Sequence, residues 1–316
     1  MNAGWMRLLR ILSVMILLLN YGQIDAQELE PRAYSNIPVG MNFLIVGYSY
    51  QTGGVLFDPS IPLENANVQT HGPFVAYARS IDLGGISGKI DMVLPFAWLS
   101  GSADFKGQQV YRSVSGFADP RIRLTVNFIG APALPLSGFK NYKQNLIVGA
   151  SLQIYMPFSQ YDPEKLVNIG TNRWAFKPEI GISKKFGPLF VELAGGAAFF
   201  TMNEKFYQGK TLLLAPIGFV QAHVVYTSRI GIWAALDGTY YWGGRPTVDG
   251  VEGNALQENS RFGFTFALPL NIHNSLKLFL STGVSTRTGT DFDAIGLAWQ
   301  YRWGKGLKSV KTKREK

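Results

Sequence analysis

Apolar and polar residues alternate along most of this chain, and the alternation is plainest at its end. From Ile295, every second residue (Ile295, Leu297, Trp299, Tyr301, Trp303) is apolar or aromatic, while Ala294, Gly296, Ala298, Gln300 and Arg302 are small or polar. Successive side chains of a strand point to opposite faces, so this stretch predicts a strand with one hydrocarbon face and one that tolerates water. The same pattern sets Ile122, Leu124, Val126 and Phe128 against Arg121, Arg123, Thr125 and Asn127. Farther along, it sets Phe262, Phe264, Phe266 and Leu268 against Arg261, Gly263, Thr265 and Ala267. A soluble sandwich also alternates, but its outer face is normally dense in Lys, Glu and Thr. Here the second face is rich in Gly, Ala and Ser with scattered charges, as suits an interior that is cramped or wet.

Twelve segments read as strands, near 41–50, 72–81, 87–96, 120–129, 144–156, 173–186, 189–201, 216–228, 231–243, 258–270, 275–286 and 292–303. Connections alternate between long and tight, with Gly130 to Lys143 a long exception among the tight ones. An apolar outer band, a polar interior and this asymmetry of loops predict an all-β transmembrane antiparallel up-and-down β-barrel of about twelve strands. An even strand number leaves both termini on the short-turn, periplasmic side. Loops Gln51–Thr70 and Ala97–Asp119 are then expected to set the width of the opposite mouth.

Composition adds an address. Arg7 and Arg10 precede the apolar run Ile11 to Leu19, and a small residue, Ala26, follows. That is the order of a secretory signal peptide, here 1–26, and the run is too short for a spanning helix. Residues 27–40, with Pro31 and Pro38 and no period, read as a lead-in, 41–303 as the barrel, and 304–316 as a basic, disordered tail. The net charge of +9 lies mostly in that tail, where six basic residues stand against Glu315. Such a run is a solvated end. The chain has no cysteine, which excludes disulfides, thiolate metal sites and a cysteine nucleophile.

Several blocks carry a family resemblance: Ser115 to Pro120 (SGFADP), Tyr161 to Trp174 (YDPEKLVNIGTNRW) with Lys177-Pro178-Glu179, Gly231 to Ala235 (GIWAA), and Ser281 to Asp293 (STGVSTRTGTDFD) with the closing Trp299 to Trp303. Together they resemble the meta-pathway phenol-degradation family of outer-membrane proteins, over a span from about Glu28 to Trp303. The resemblance implies a barrel in the Gram-negative outer membrane that helps small aromatic or other hydrophobic compounds across. It supplies no site residues to carry over.

The facing pattern itself nominates an interior. Its charges would be Arg79, Lys89, Arg121, Arg123, Lys177, Arg261, Lys277 and Arg302 against Asp91, Glu179, Glu192 and Asp237. In an open pore the basic excess weakly favours anions; alternatively these charges pair across the interior and stiffen the wall, because buried charges must be paired or hydrated. His223 falls on the same face beside Gln221, with no Ser two residues away to serve as a nucleophile, while His71 enters a strand and His273 sits in a turn. The histidines are not at metal-ligand spacing, and no cofactor motif is present. The expected function is passive uptake of small molecules, aromatic or hydrophobic ones by the resemblance. The rival readings are a barrel hydrolase of the phospholipase type and a closed structural or surface barrel. Expected partners are outer-membrane lipid, the barrel assembly machinery acting on the C-terminal strand, and the solute; nucleic acid is not expected.

Overall fold

A computed structural model describes residues 30–56, 63–105, 107–285 and 289–307. In chain order its strands begin with β1 (Met41–Leu56), β2 (Leu63–Asp82), β3 (Ile86–Phe105), β4 (Gln108–Phe117) and β5 (Arg121–Pro132), followed by the short helix α1 (Leu136–Phe139). There follow β6 (Leu146–Tyr155), β7 (Ala175–Phe186), β8 (Leu189–Phe200), β9 (Asn203–Phe206), β10 (Lys210–Leu214), β11 (Ile217–Thr227) and β12 (Trp233–Gly243). The last are β13 (Pro246–Val248), β14 (Val251–Glu252), β15 (Gln257–Pro269), β16 (Asn274–Ser285) and β17 (Gly289–Gly304).

Among the described residues, twelve of these strands close into one antiparallel barrel, in the order β1, β2, β3, β5, β6, β7, β8, β11, β12, β15, β16, β17. The last strand returns to the first along their whole length, from Met41↔Gly304 to Leu56↔Gly289. Side chains predicted to face outward do so: Leu124 (43%), Phe262 (54%) and Leu297 (53%) stand about half exposed around the wall. Exposed apolar bulk on this scale is the surface of a protein solvated by lipid. At one rim, Trp299, Tyr301 and Trp303 stack at 6.2 and 5.7 Å, as aromatic residues do at a membrane interface.

The two presumed mouth loops need correcting. Most of Gln51–Thr70 and Ala97–Asp119 is strand: β1, β2 and β3 run well past the predicted ends, and β4 folds back on β3 from Phe96↔Phe117 to Phe105↔Gln108. Beyond the lipid both faces of a strand can be polar, so alternation stops while backbone pairing continues. Residues 57–62, where one loop turns, lie outside the described residues. At the same end β9, β10, β13 and β14 form a second small sheet. There Asp119 accepts hydrogen bonds from the N–H and hydroxyl of Ser159 (3.4 and 2.6 Å) and of Thr171 (both 2.9 Å), tying two loops together.

At the other end, where β1 starts and β17 ends, turns are tight. The turn between β2 and β3 uses Gly84 and Gly85 at φ of 69° and 91°, where a Cβ is disfavoured. The long exception, Gly130 to Lys143, contains α1 and meets the N-terminal segment, with Val39 N donating to Leu134 O at 2.9 Å. Of the basic tail, Gly304 completes β17 and 305–307 form a turn; the predicted signal peptide 1–26, residues 27–29 of the lead-in and residues 308–316 lie outside the described residues. Leu297 faces outward well inside the band, so Leu297→Arg should cost about 2–4 kcal/mol, the range for a basic residue near the bilayer midplane, measured by urea unfolding in lipid vesicles.

Candidate functional site

The inner wall has two unlike halves. On β16, β17, β1 and β2 the inward residues are mostly small or apolar, among them Phe279, Ala294, Ala298, Ile45, Phe74 and Ala76, with Lys277 beside Ala298 and Gln300 beside Ile45 as polar interruptions. Phe74 lies flat over Gly47 and Phe279 over Gly296, where a Cβ would overlap each ring. The other half is polar. Asp91 sits opposite Arg123 across the β3–β5 pair and accepts from its Nε at 3.0 Å, with Arg121 Nη1 3.7 Å from the same carboxylate. Farther round, Ser183 donates to Glu192 (2.9 Å), Gln221 to Glu179 (2.9 Å), and Thr265 to Asp237 (3.2 Å). His223 Nδ1 lies 2.6 Å from the fully buried Asp237 carboxylate.

Into this polar half runs the segment that sequence periodicity left as a lead-in. From Gly40 at the rim it passes inward to Glu30. Asn36 Nδ2 donates to Pro132 O (3.1 Å), Asn127 Nδ2 to Tyr34 O (3.2 Å), Tyr34 OH to Glu179 (2.7 Å) and Arg32 N to Glu192 (2.6 Å). Glu30 reaches Arg123 with both oxygens, at 2.8 and 2.6 Å. Arg32 adopts φ 69°, a left-handed conformation uncommon outside glycine; its N–H bond to Glu192 and its guanidinium, 5.4 Å from the Trp233 ring centre and 5.8 Å from that of Phe190, hold it there. Tyr34 is only 2% exposed. Its ring fills a slot made by two inward glycines on neighbouring strands, Gly149 and Gly181, where any Cβ would overlap it. Beside the segment about 20 Å³ remains for water centres, room for one or two molecules.

These contacts shift titrations in the segment. Burial pushes the Glu30 carboxyl up, but Arg123, backed by Lys89 and Arg121, outweighs it and holds Glu30 well below its ordinary value of 4.5. Burial and the neighbouring Glu179 raise the Tyr34 hydroxyl. Burial lowers Arg32, opposed by Glu192.

The predicted interior residues divide into groups. Lys89, Asp91, Arg121 and Arg123 lie together on β3 and β5, and Lys177, Glu179, Glu192, His223 and Asp237 continue round the wall on β7, β8, β11 and β12. Three stand apart. Arg261 donates to Ser281 Oγ (3.0 Å) and Phe292 O (3.3 Å), Lys277 lies between Ala267 and Ala298, and Arg302 donates to Ile272 O (2.7 Å) at the rim. Arg79 is a correction: it is exposed on the outer face, paired with Asn42 and the outward Ile90, because β2 presents its odd-numbered residues to lipid. His71 also faces outward, 2.5 Å from Tyr48 OH. Sequence reasoning missed Glu30, Arg32 and Tyr34 altogether; their one signal is the unneeded inward glycines, 149 and 181, that leave room for a ring.

A closed twelve-stranded antiparallel barrel with an apolar outer band and a charged, occupied interior is the fold of an outer-membrane β-barrel protein. The crystal structure of an outer membrane channel from Pseudomonas putida F1 superposes with a TM-score of 0.73 at 18% identity, covering 87% of this chain and 100% of that one. The β domain of the Bordetella autotransporter BrkA follows at 0.52 and 10% identity, covering 84% and 100%. No curated protein sequence matches. The family profile described as the MetA-pathway of phenol degradation matches residues 53–301, and the chain belongs to that family.

Two outcomes are expected of the segment. Because the chain lacks cysteine, Ser35→Cys provides a unique label; Gly181→Leu should evict Tyr34 and raise its reaction rate with a water-soluble maleimide at least about tenfold, the effect of about 1.4 kcal/mol. A group whose pKa is depressed by docking stabilises the docked state above its free value and loses that contribution as pH falls through the docked value. The Glu30 contact should therefore be constant from neutrality down to about its ordinary 4.5 and weaken only in stronger acid, read from a fluorophore on Ser35→Cys.

Proposed function

We propose that this outer-membrane channel carries small apolar and aromatic molecules passively, with its termini in the periplasm after signal-peptide removal and its C-terminal strand read by the barrel assembly machinery. The observation that supports this most is the two-sided lumen. Polar solutes meet a wall whose charges are tied to one another and to the N-terminal segment. An apolar solute meets Ile45, Phe74, Phe279, Ala294 and Ala298, a largely apolar strip opposite that segment, interrupted by Lys277 and Gln300. Small-molecule sites are typically apolar with a few fixed polar groups, and this interior has that composition. The segment is the element that yields: it rests on discrete polar contacts, from Glu30–Arg123 in the lumen to Val39–Leu134 and Ser80–Pro38 near the rim, each contributing about 0.5–3 kcal/mol net, whereas opening the wall would break a whole inter-strand ladder.

His223 and Asp237 do not make a hydrolase in this reading. The pair faces inward, away from lipid, and among the described residues no hydroxyl is hydrogen-bonded to His223. The test is entry of a hydrophobic dye, N-phenylnaphthylamine, into cells whose lipopolysaccharide leaflet excludes it. Expression should speed uptake several-fold, and Ile45→Asp, which puts a charge on the apolar strip, should abolish the gain while the folded band on unboiled gels persists. Uptake equal to that of empty-vector cells would leave the closed structural barrel as the better account.

A further inference from the structure

We infer that Lys89, Arg121 and Arg123 form a binding site for the carboxylate of a small organic acid with an apolar body, occupied in the docked state by the chain's own Glu30; the inference rests on the channel reading above.

The three cations come from adjacent strands, with Lys89 opposite Thr125, Asp91 opposite Arg123 and Val93 opposite Arg121. Among the described residues the wall sets Asp91 against this group; it engages Arg123 Nε at 3.0 Å and lies 3.7 Å from Arg121, whose Nη1 also donates to Gln153 Oε1 at 3.1 Å. The other edge of the Arg123 guanidinium, its Nη1 and Nη2, is taken by Glu30 at 2.6 and 2.8 Å. That two-point fork is the geometry by which arginine recognises a free carboxylate. Glu30 belongs to the inserted segment and not to the wall, so the site already holds a carboxylate that arrived from elsewhere in the chain. It is also the open side of the contact: the Glu30 side chain is 32% exposed, against 8% for Arg123 and 9% for Asp91. A competing carboxylate therefore approaches from the cavity that Glu30 and Arg123 both line.

What lies next to the cations sets the rest of the ligand. Away from the turns, β3 continues its inward face from Asp91 with Val93, Pro95 and Ala97, an apolar run beside a charged head site. A carboxylate bearing a ring or short chain fits both parts, whereas an inorganic anion uses only the first. Because the ligand and Glu30 need the same guanidinium edge, binding of such an acid displaces Glu30 and loosens the segment. The site thus couples recognition of the solute to release of the plug.

The mature chain, with folding verified by heat-modifiable gel mobility, is titrated with sodium benzoate at neutral pH and constant ionic strength by calorimetry, with benzyl alcohol as the uncharged counterpart. Glu30→Gln removes the resident competitor and is expected to bind benzoate at least about tenfold more tightly than the parent, with benzyl alcohol unchanged. Arg121→Gln in the Glu30→Gln background is expected to lose that gain while staying folded. Unchanged benzoate affinity in Glu30→Gln overturns the proposal, and so does an equal gain for benzyl alcohol, which would mean that the segment had merely vacated space. Dye uptake in the same variants reads the channel separately: benzoate binding without dye uptake sinks the channel and keeps the site, and dye uptake with no benzoate gain does the reverse.

Discussion

A sheet in hydrocarbon has no water to satisfy its edges, so every N–H and C=O of the outermost strands must be paired inside the protein. In this chain that demand falls on β1 and β17, whose register joins sixteen residues of each strand from Met41↔Gly304 to Leu56↔Gly289. The rest of the architecture follows from that seam. Closure fixes which parity of each strand faces lipid, brings the start of β1 and the end of β17 to one rim, and sets the long connections at the other. It also brings the start of β1 to the mouth of the lumen, so the residues just before it are placed to turn inward.

Closing twelve strands creates a further difficulty. About eight strands give an interior that side chains fill, and sixteen leave an aqueous channel; twelve lie between, too wide for the wall to fill alone. Any charge in such a space must be paired or hydrated. The wall settles some of this itself, with Asp91 against Arg123 and Asp237 against His223. More is met from the N-terminal segment: Glu179 receives the Tyr34 hydroxyl, Glu192 the Arg32 N–H, and the far edge of Arg123 the Glu30 carboxylate. The segment thus lies against the half of the wall where most of the interior charges gather, and the mostly apolar half is left uncovered.

The barrel was legible because lipid imposes a strict period. Where a strand crosses hydrocarbon, one face must be apolar, and all twelve segments announce themselves, as Ile295 to Trp303 does. Legibility fails where that pressure stops. The outer parts of β1 to β4 pair backbone to backbone like the rest but lack the lipid period, and so read as loop. Arg79 reads as inward from the facing pattern, yet β2 turns it outward, and a long side chain near a rim carries its charge to the interface. The interior charges were found from facing alone, but not their grouping, since cross-strand register is invisible in single segments. The inserted segment was least legible. It obeys no period, because each of its side chains answers to a different strand.

Glycine 149 and glycine 181 show how the fixed and movable parts are divided. Both lie mid-strand on the inner face, where a side chain would ordinarily strengthen the wall, and a strand interior weakened by glycine has to be offset elsewhere. The offset is the Tyr34 ring, which fills the slot without being part of the sheet. Had the wall carried its own side chains at these positions, the lumen there would be filled permanently. Supplying the same volume from a tethered segment leaves the barrel closed at rest while the filling itself can leave, and the sheet that lipid demands need not open for it to do so. On the proposed function, permeation and membrane stability are thereby assigned to different parts of the chain.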